Sequence, residues 1–338
     1  MRGAGDTEIL WRIDRQRTCD GDFMQTQNKS FYLEDGILTY YDASDGAVHE
    51  FSYKKLTEHV TGIQGPAGEV MYVVNGDKRS LLIDATAGIG DCRQLAELFA
   101  RYPYEILLTH GHVDHCGGIY CFDERRVKIR LNEKDRTPKP GLKRTVLETG
   151  RSIETRLWFV SPVCGWADRA DFTEDYDLRH LHALNDGQRF DLGNYEAEAV
   201  ELAGHTPGSM GILLKEDGLL ITGDAASTLT YLFLEHSLTV EQYVQNLKRV
   251  YERRNEYKNG ILLSHGRMEP RSYAMLEELI TIGETVLHRY DRGLLPYYPK
   301  EKKLHISTSS GEYEACQAGS PHQETGRAYL LYRQDRVR

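Results

Sequence analysis

Residues 109–115 read Thr-His-Gly-His-Val-Asp-His, so three histidines and one aspartate fall within six consecutive positions. Imidazole nitrogens and carboxylate oxygens are good ligands for Zn²⁺ and similar ions. On an extended loop, His110 and His112 would project to the same side and could hold one ion. Asp114 and His115 could then turn toward a second ion nearby. We interpret this stretch as a metal centre, because ordinary surface histidines rarely cluster so densely.

Four predicted strands each end close to a residue of a metal-ligating type. The strands are residues 105–109, 196–202, 219–222 and 260–263, and they lead into His110, His205, Asp224 and His265. Folds that combine strands and helices place their chemistry at the carboxyl ends of the strands. We therefore expect these four strand ends to bring their side chains to one site.

The spacing His-x-His-x-Asp-His resembles the signature of the metallo-β-lactamase superfamily. Further segments resemble the rest of that family's pattern and follow in the same order. They are Asp84 at the end of an apolar strand, the Gly-His-Thr-Pro-Gly-Ser run within residues 203–209, Thr-Gly-Asp at 222–224, and Ser-His-Gly at 264–266. The resemblance spans residues 58–268.

This resemblance implies an α+β fold, a four-layer αββα sandwich with mixed sheets. The implied ligands are His110, His112 and His205 for one ion, Asp114, His115 and His265 for the second, and Asp224 as a bridge between them. The expected cofactors are two divalent metal ions, zinc first, with iron or manganese as alternatives. Asp114 would also be catalytic, orienting the nucleophile and later passing a proton to the leaving group.

Several residues have simpler interpretations beside the functional ones. Asp224 could be a turn residue or a helix cap, and Asp84 could cap the segment that follows it. Cys116 is interpreted as a small packed residue beside the ligands. His180 and His182 also form a His-x-His pair, but no neighbouring residue completes a site. We assign that pair to a solvated or lid surface.

The resemblance implies a hydrolase in which a hydroxide shared by two metal ions attacks a small ester, thioester, lactone or phosphoester. Asp224 argues against a zinc β-lactamase, which commonly has Cys or Ser near that position. Thioesterases of the glyoxalase II type and acyl-homoserine lactonases are similar in their ligand set. Two alternatives stay open. One is an iron-dependent persulfide dioxygenase with a single ion, and the other is a metal-stabilised binding module without turnover.

The composition is that of a globular protein with a substantial core. The chain has 338 residues, 40% hydrophobic content and a formal net charge of −9. Because there is no long basic run, nucleic acid is disfavoured as a partner and a small-molecule substrate is expected. No segment approaches the roughly 20 apolar residues of a membrane span, and the polar N-terminus lacks a signal-peptide pattern. We therefore expect a cytoplasmic protein without a membrane partner, and predict no oligomeric state.

The chain divides into predicted segments. Residues 1–57 are an N-terminal extension with a small β-meander, residues 58–268 are the metallo-β-lactamase-like domain, and residues 269–338 are a helix and a β-like tail that complete it. Within the domain, residues 139–183 are a lid-like insertion of irregular helices. Helical periodicity is expected at 91–102, 240–257 and 272–290. Six scattered cysteines without a CxxC pair are expected to be free thiols.

Overall fold

The first main sheet of the protein has nine strands in sequence order. The computed structural model describes residues 29–42, 47–101, 103–176, 178, 180–293, 304–308, 311–314 and 328–338. The strands are β1 (Lys29–Glu34), β2 (Ile37–Asp42), β3 (Val48–Lys55), β4 (Val60–Gln64), β5 (Val70–Asn75), β6 (Ser80–Ile83), β7 (Tyr104–Leu107), β8 (Ile129–Leu131) and β9 (His182–Ala183). The pairs from β1 to β6 are antiparallel, whereas those from β6 to β9 are parallel. The sheet is therefore mixed.

Two further sheets come from the second half of the chain. The five-stranded sheet contains β10 (Arg189–Asp191), β11 (Glu196–Glu201), β12 (Met210–Leu214), β13 (Leu219–Gly223) and β15 (Gly260–Leu263), in that order. The smaller sheet contains β14 (Leu229–Leu232), β18 (Tyr329–Arg333), β16 (Leu304–Thr308) and β17 (Gly311–Glu314), in that order. The chain therefore leaves the five-stranded sheet after β13 and returns to it with β15.

Seven α-helices cover the sheets in the described part of the chain. They are α1 (Cys92–Glu97), α2 (Val113–Cys116), α3 (Glu133–Arg136), α4 (Val146–Gly150), α5 (Ile153–Val160), α6 (Val240–Glu252) and α7 (Ala274–Asp291). Helical periodicity predicted α1, α6 and α7, although α1 is shorter than expected. Within the described ranges, no helix combines the length and apolar character that crossing a membrane requires.

Alternating side chains of the strands build three apolar layers. Leu82 and Ile106 belong to a core with α1 and α5 on one outer face. Their neighbours Leu81 and Leu107 point the other way, into a core shared with the five-stranded sheet. Leu220 of that sheet faces a third core, formed with α6 and α7. This order of helix, sheet, sheet and helix confirms the predicted four-layer αββα sandwich.

Strand direction brings the predicted site residues to the same edge of the sandwich. In the first sheet, the parallel strands β6 and β7 end just before Asp84 and His110. In the second sheet, the parallel strands β13 and β15 end just before Asp224 and His265. Strand β11, which precedes His205, runs in the same direction as β13, because β12 between them is antiparallel to both.

Three antiparallel strands, β1 to β3, occupy the region in which the sequence predicted a small β-meander, and they extend the first sheet. At the other end of the chain, β18 lies where the sequence predicted a last strand.

The boundaries of the predicted segments stay predictions. Residues 1–28, which include Cys19, and Cys316 lie outside the described residues. The described cysteines are free, namely Cys92, Cys116, Cys121 and Cys164.

Candidate metal centre

A first group of three histidines meets where the strand ends converge. Ligand atoms of His110, His112 and His205 lie within 4.8 Å of one another. Nδ1 of His112 is 2.9 Å from Nε2 of His205, and the ring of His110 is nearly perpendicular to both other rings. A catalytic zinc site has three protein ligands and keeps its fourth position open. The first group matches that requirement.

For His110 and His205, hydrogen bonds outside this group set which ring nitrogen faces inward. Nδ1 of His205 lies 2.9 Å from the carbonyl oxygen of Tyr231 and donates its proton there. Nδ1 of His110 lies 3.1 Å from the hydroxyl of Thr109. Nε2 of both histidines is therefore left for the group itself, which is how outer partners orient metal-binding histidines.

The second group contains Asp114, His115, Asp224 and His265, whose ligand atoms also lie within 4.8 Å of one another. Asp114 and His115 belong to α2, the single helical turn that follows His112. Nε2 of His265 is 3.0 Å from Oδ2 of Asp114, and Nε2 of His115 is 3.5 Å from the same oxygen. Two carboxylates and two imidazoles are a ligand set that suits divalent zinc, iron or manganese.

Asp224 belongs to the second group but also faces the first. Its Oδ1 is 3.3 Å from Nε2 of His265 in the second group. Its Oδ2 is 3.7 Å from Nε2 of His205 in the first group. A carboxylate with one oxygen on each side is arranged to join two cations.

Burial dominates the electrostatics of the first group. It lowers the pKa of His112 to about 3, and it lowers the pKa of His110 well below its usual range, with the neighbouring histidines adding to the effect. Both rings are therefore neutral at pH 7, the form in which imidazole binds a metal.

In the second group, carboxylates outweigh burial. Burial alone would lower the pKa of His115, but neighbouring carboxylates, above all Asp114, raise it well above its usual range. For His265 the same competition raises the pKa to about 10, with Asp224 as the largest opposing influence. The carboxylates thus attract positive charge into this group, which a metal ion would supply in place of the histidine protons.

Three buried polar atoms of the two groups have no hydrogen-bond partner among the described residues: His110 Nε2, His115 Nε2 and Asp224 Oδ1. An unpaired buried polar atom costs about 1–3 kcal/mol, so native proteins rarely leave several together. Once the histidine rings are neutral, each of these atoms has a lone pair suited to metal binding. The residues present therefore fit a metal centre.

Asp84 supports the loop that carries the first histidines. Its Oδ1 accepts a hydrogen bond from the backbone N–H of Thr109 at 2.7 Å, and its Oδ2 accepts one from the hydroxyl of the same residue at 2.8 Å. Oδ2 also lies 2.8 Å from Nδ1 of His115. Asp84 has a φ of +64°, a left-handed conformation that Asp adopts more readily than most residues. These contacts make Asp84 a brace of the centre rather than a cap of the following segment.

Asp135 is a buried carboxyl group that the sequence did not single out. Its Oδ2 accepts hydrogen bonds from the N–H of Gly111 at 3.0 Å and from the hydroxyl of Thr206 at 2.8 Å. Its Oδ1 accepts one from the N–H of Gly208 at 2.8 Å. Position 208 requires glycine, because a Cβ there would lie 2.6 Å from the Asp135 carboxylate. Asp135 therefore joins the loop that carries His110 and His112 to the loop that carries His205.

Glu69 is a second buried carboxyl group without a signal in the sequence. Its Oε1 accepts a hydrogen bond from the N–H of Ala87 at 3.2 Å, and its Oε2 has no partner among the described residues. Burial raises the pKa of Glu69 to about 7. Its backbone pairs with that of His265 in an isolated bridge. Glu69 thus supports the loop that carries the last predicted ligand.

The remaining candidates lie where the sequence predicted them. Cys116 is buried, and its thiol donates a hydrogen bond to the carbonyl of Gly111 at 3.4 Å, as a packed residue would. His180 and His182 are exposed, and neither belongs to either group of candidate ligands.

The described part of the 139–183 insertion packs against residues 110–115, the loop that carries the first ligand candidates. Helix α4 begins with a capping box between Thr145 and Glu148. At its other end, Gly150 lies against the loop so closely that a Cβ there would be 2.7 Å from the backbone nitrogen of Val113. Farther along the insertion, Trp166 stacks on His49 of β3 with ring centroids 3.6 Å apart. The insertion thus supports the ligand loop from outside and also contacts the N-terminal strands.

Parts of this chain are similar to known proteins. The human acyl-coenzyme A thioesterase MBLAC2 is 25% identical over 230 residues, which cover 61% of this chain and 77% of that protein. The atrochrysone carboxyl ACP thioesterase of Aspergillus fumigatus is 26% identical over 191 residues, 54% of this chain and 47% of that one. The sec-alkylsulfatase Pisa1 from Pseudomonas sp. has a TM-score of 0.52 and 15% identity over 72% of this chain and 43% of that chain, a likeness of fold alone.

Residues 65–254 match the family described as the metallo-beta-lactamase superfamily. Members of that superfamily usually bind metal ions, and a cluster of His and Asp side chains able to do so is present here. The relatives of this chain are named as thioesterases and as a probable metallo-hydrolase. The chain therefore belongs to the metallo-β-lactamase superfamily and is a hydrolase.

Proposed function

We propose that this protein hydrolyses acyl thioesters with the aid of two divalent metal ions. The observation that carries the dinuclear part is the position of Asp224, which turns one carboxylate oxygen toward each group of ligand-type side chains. The thioester part is supported by two relatives that are named as thioesterases. Esters, lactones and phosphoesters are the alternative substrates, because the same set of metal ligands could serve their hydrolysis. The experiment below separates these alternatives.

In this proposal each group holds one ion. The proposed ligands are His110, His112 and His205 for the first ion, Asp114, His115 and His265 for the second, and Asp224 for both. Zinc is the first expectation, with iron or manganese as alternatives. When bound, the ions would lower the pKa of a shared water so that hydroxide is available at neutral pH, and would polarise the thioester carbonyl.

The chain's own groups would then orient the reactants and move one proton. Asp114 is mostly buried and lies in the second group, 3.0 Å from Nε2 of His265. We assign Asp114 to orient the attacking water, to accept the proton that this water gives up, and to deliver that proton to the sulfur of the leaving group. The carbonyl carbon gains an oxygen, the carbon–sulfur bond breaks, and the products are a carboxylic acid and a thiol.

The two other functions suggested by the sequence receive less support from the geometry. A persulfide dioxygenase needs one iron ion, whereas two neighbouring groups of ligand-type atoms are present here. A structural zinc site is normally a single closed set of four ligands, whereas Asp224 of the second group also faces the first. A paired arrangement favours hydrolysis.

The test is a substrate panel at pH 7.5 with the metal-loaded protein. Decanoyl-coenzyme A hydrolysis is followed by thiol release, beside a p-nitrophenyl ester, an aliphatic lactone and a phosphodiester. We expect kcat/KM for the thioester to exceed the other values by at least tenfold, and a chelator to abolish the activity. If the protein cleaves another substrate class preferentially, that class would replace thioesters as the assigned substrate. Oxygen consumption with a persulfide, and no hydrolysis, would support the dioxygenase.

A further inference from the structure

One face of the paired strands β14 and β18 carries apolar side chains that lie outside the three large cores. Strand β14 pairs in parallel with β18, so that Leu229 lies beside Tyr329 and Tyr231 lies beside Leu331. Paired residues share a face of a sheet. Leu229, Tyr329 and Leu331 form a separate small apolar cluster with Phe233. We call Leu229, Tyr231, Phe233, Tyr329 and Leu331 the apolar shelf.

The opposite face of the same two strands is already occupied. Leu232, Leu330 and Tyr332 alternate with the shelf residues and belong to the core formed with α6 and α7. That face accounts for how the small sheet attaches to the protein. The shelf residues therefore lie outside this core. Tyr329 and Leu331 are buried in a small cluster of their own, whereas Tyr231, Leu229 and Phe233 stay partly accessible.

The shelf begins at the metal centre. The carbonyl of Tyr231 accepts the hydrogen bond from Nδ1 of His205, and the two rings have centroids 6.5 Å apart. From there the ring of Tyr231 leads to Phe233, with centroids 5.1 Å apart. Tyr231 is 37% exposed and Leu229 and Phe233 are half-buried, whereas Tyr329 and Leu331 are buried. The accessible part of the shelf, which begins next to the first group, is therefore formed by Tyr231, Phe233 and Leu229.

We propose that the apolar shelf binds the acyl chain of the substrate, which makes it the part of the site that selects long-chain over short-chain acyl groups. This inference rests on the proposed thioesterase function. The reacting carbonyl must lie at the metal centre, so the first methylene groups of the acyl chain leave the centre within reach of Tyr231. Arg333 follows Leu331 on the same face of β18, but its charge is paired with Asp335. The accessible shelf residues Tyr231, Phe233 and Leu229 carry no charge, so they suit a hydrocarbon rather than the phosphate groups of a coenzyme A thiol.

Burial of a methylene group on such a surface favours binding about two- to fourfold. Affinity is therefore expected to rise with acyl length until the chain passes the end of the shelf. This dependence concerns binding, so it can be measured without turnover by using thioethers, which lack the carbonyl and cannot be hydrolysed. The outcome is then independent of whether the proposed reaction is correct.

The experiment compares the binding of S-ethyl- and S-decyl-coenzyme A to the metal-loaded protein by calorimetry. We expect the decyl thioether to bind at least tenfold more tightly. In Phe233→Ala this ratio should fall at least threefold. Tyr231→Ala is the second variant, because its side chain is more exposed and its loss perturbs packing less. Trp158→Ala is the matched control, since Trp158 is 72% exposed on α5, in a different layer, and the ratio should not change there.

Equal affinities for the two thioethers, binding of neither, or an unchanged ratio in both shelf variants would overturn the inference. A thioester panel on the same samples separates this failure from failure of the proposed function. Turnover of thioesters without dependence on acyl length would contradict the proposed role of the shelf but support the thioesterase function. Length-dependent binding without turnover would support the role of the shelf but contradict the thioesterase function.

Discussion

The carboxylate of Asp135 accepts a hydrogen bond from the hydroxyl of Thr206 at 2.8 Å, although the two residues are 71 positions apart in the sequence. Asp135 accepts two further bonds, from Gly111 and Gly208. One buried side chain thus fixes the loop with the first two histidines relative to the loop with the third. The separation of the first three proposed ligands depends on this link.

Replacing Asp135 by alanine should therefore weaken both the fold and the metal centre. Three donors lose their acceptor, which should lower the free energy of unfolding by about 2–5 kcal/mol. Affinity for the first ion should fall about 10- to 100-fold, as for other outer partners of metal ligands. Urea denaturation and competition with a chromophoric chelator measure the two effects. Unchanged metal affinity in a folded variant would show that Asp135 does not set the ligand geometry.

Asp135 also predicts how stability depends on pH. Burial raises the pKa of Asp135 from 3.8 to about 6, against the effect of its hydrogen bonds. The folded state therefore binds this proton more tightly than the unfolded state. The corresponding stability is fully present below pH 3.8 and is lost as the pH rises through the folded pKa, with no further loss from this group expected above about pH 7.

Asp135→Asn removes this titration and keeps one acceptor oxygen. Between pH 5 and pH 7.5, the wild-type free energy of unfolding should fall by about 1 kcal/mol relative to the asparagine variant. Urea denaturation of both chelator-treated proteins at the two pH values tests this. Parallel changes in both proteins would mean that Asp135 keeps an ordinary pKa.

The proposed proton transfer by Asp114 predicts a dependence on the leaving group. In Asp114→Asn, kcat for an alkyl thioester should fall about 100-fold or more, because the leaving sulfur is no longer protonated. For a thiophenyl ester with the same acyl group the loss should be at least tenfold smaller, because thiophenolate leaves without a proton. Metal content measured on the same sample separates this effect from loss of an ion. Equal losses on both substrates would assign Asp114 a ligand role only.

The metal-binding candidates could be predicted from sequence because each follows a short apolar strand and has a recognisable local context. His110, His112, Asp114 and His115 even lie in one stretch of six positions. The αββα layers were implied by the resemblance of these motifs to the metallo-β-lactamase superfamily, whereas strand and helix periodicities predicted only individual elements.

The supporting contacts could not be predicted in this way. Asp135 lies in a short polar helical turn that resembles any surface turn, and Glu69 precedes a strand without any motif. Their roles depend on pairings between distant segments. The apolar shelf could not be predicted either. The sequence suggested a last strand at the C-terminal end of the chain, but it did not indicate that this strand, β18, pairs in parallel with β14.

The central claim is that Asp224 joins two metal ions, and metal stoichiometry tests it most directly. The measurement is elemental analysis of the wild type and of Asp224→Ala, both purified without chelator, with circular dichroism as the control for folding. We predict about two zinc, iron or manganese ions per chain in the wild type. In the folded Asp224→Ala variant we predict about one ion, with nearly all turnover lost. One ion per wild-type chain, or two ions and full activity in the variant, would contradict the account.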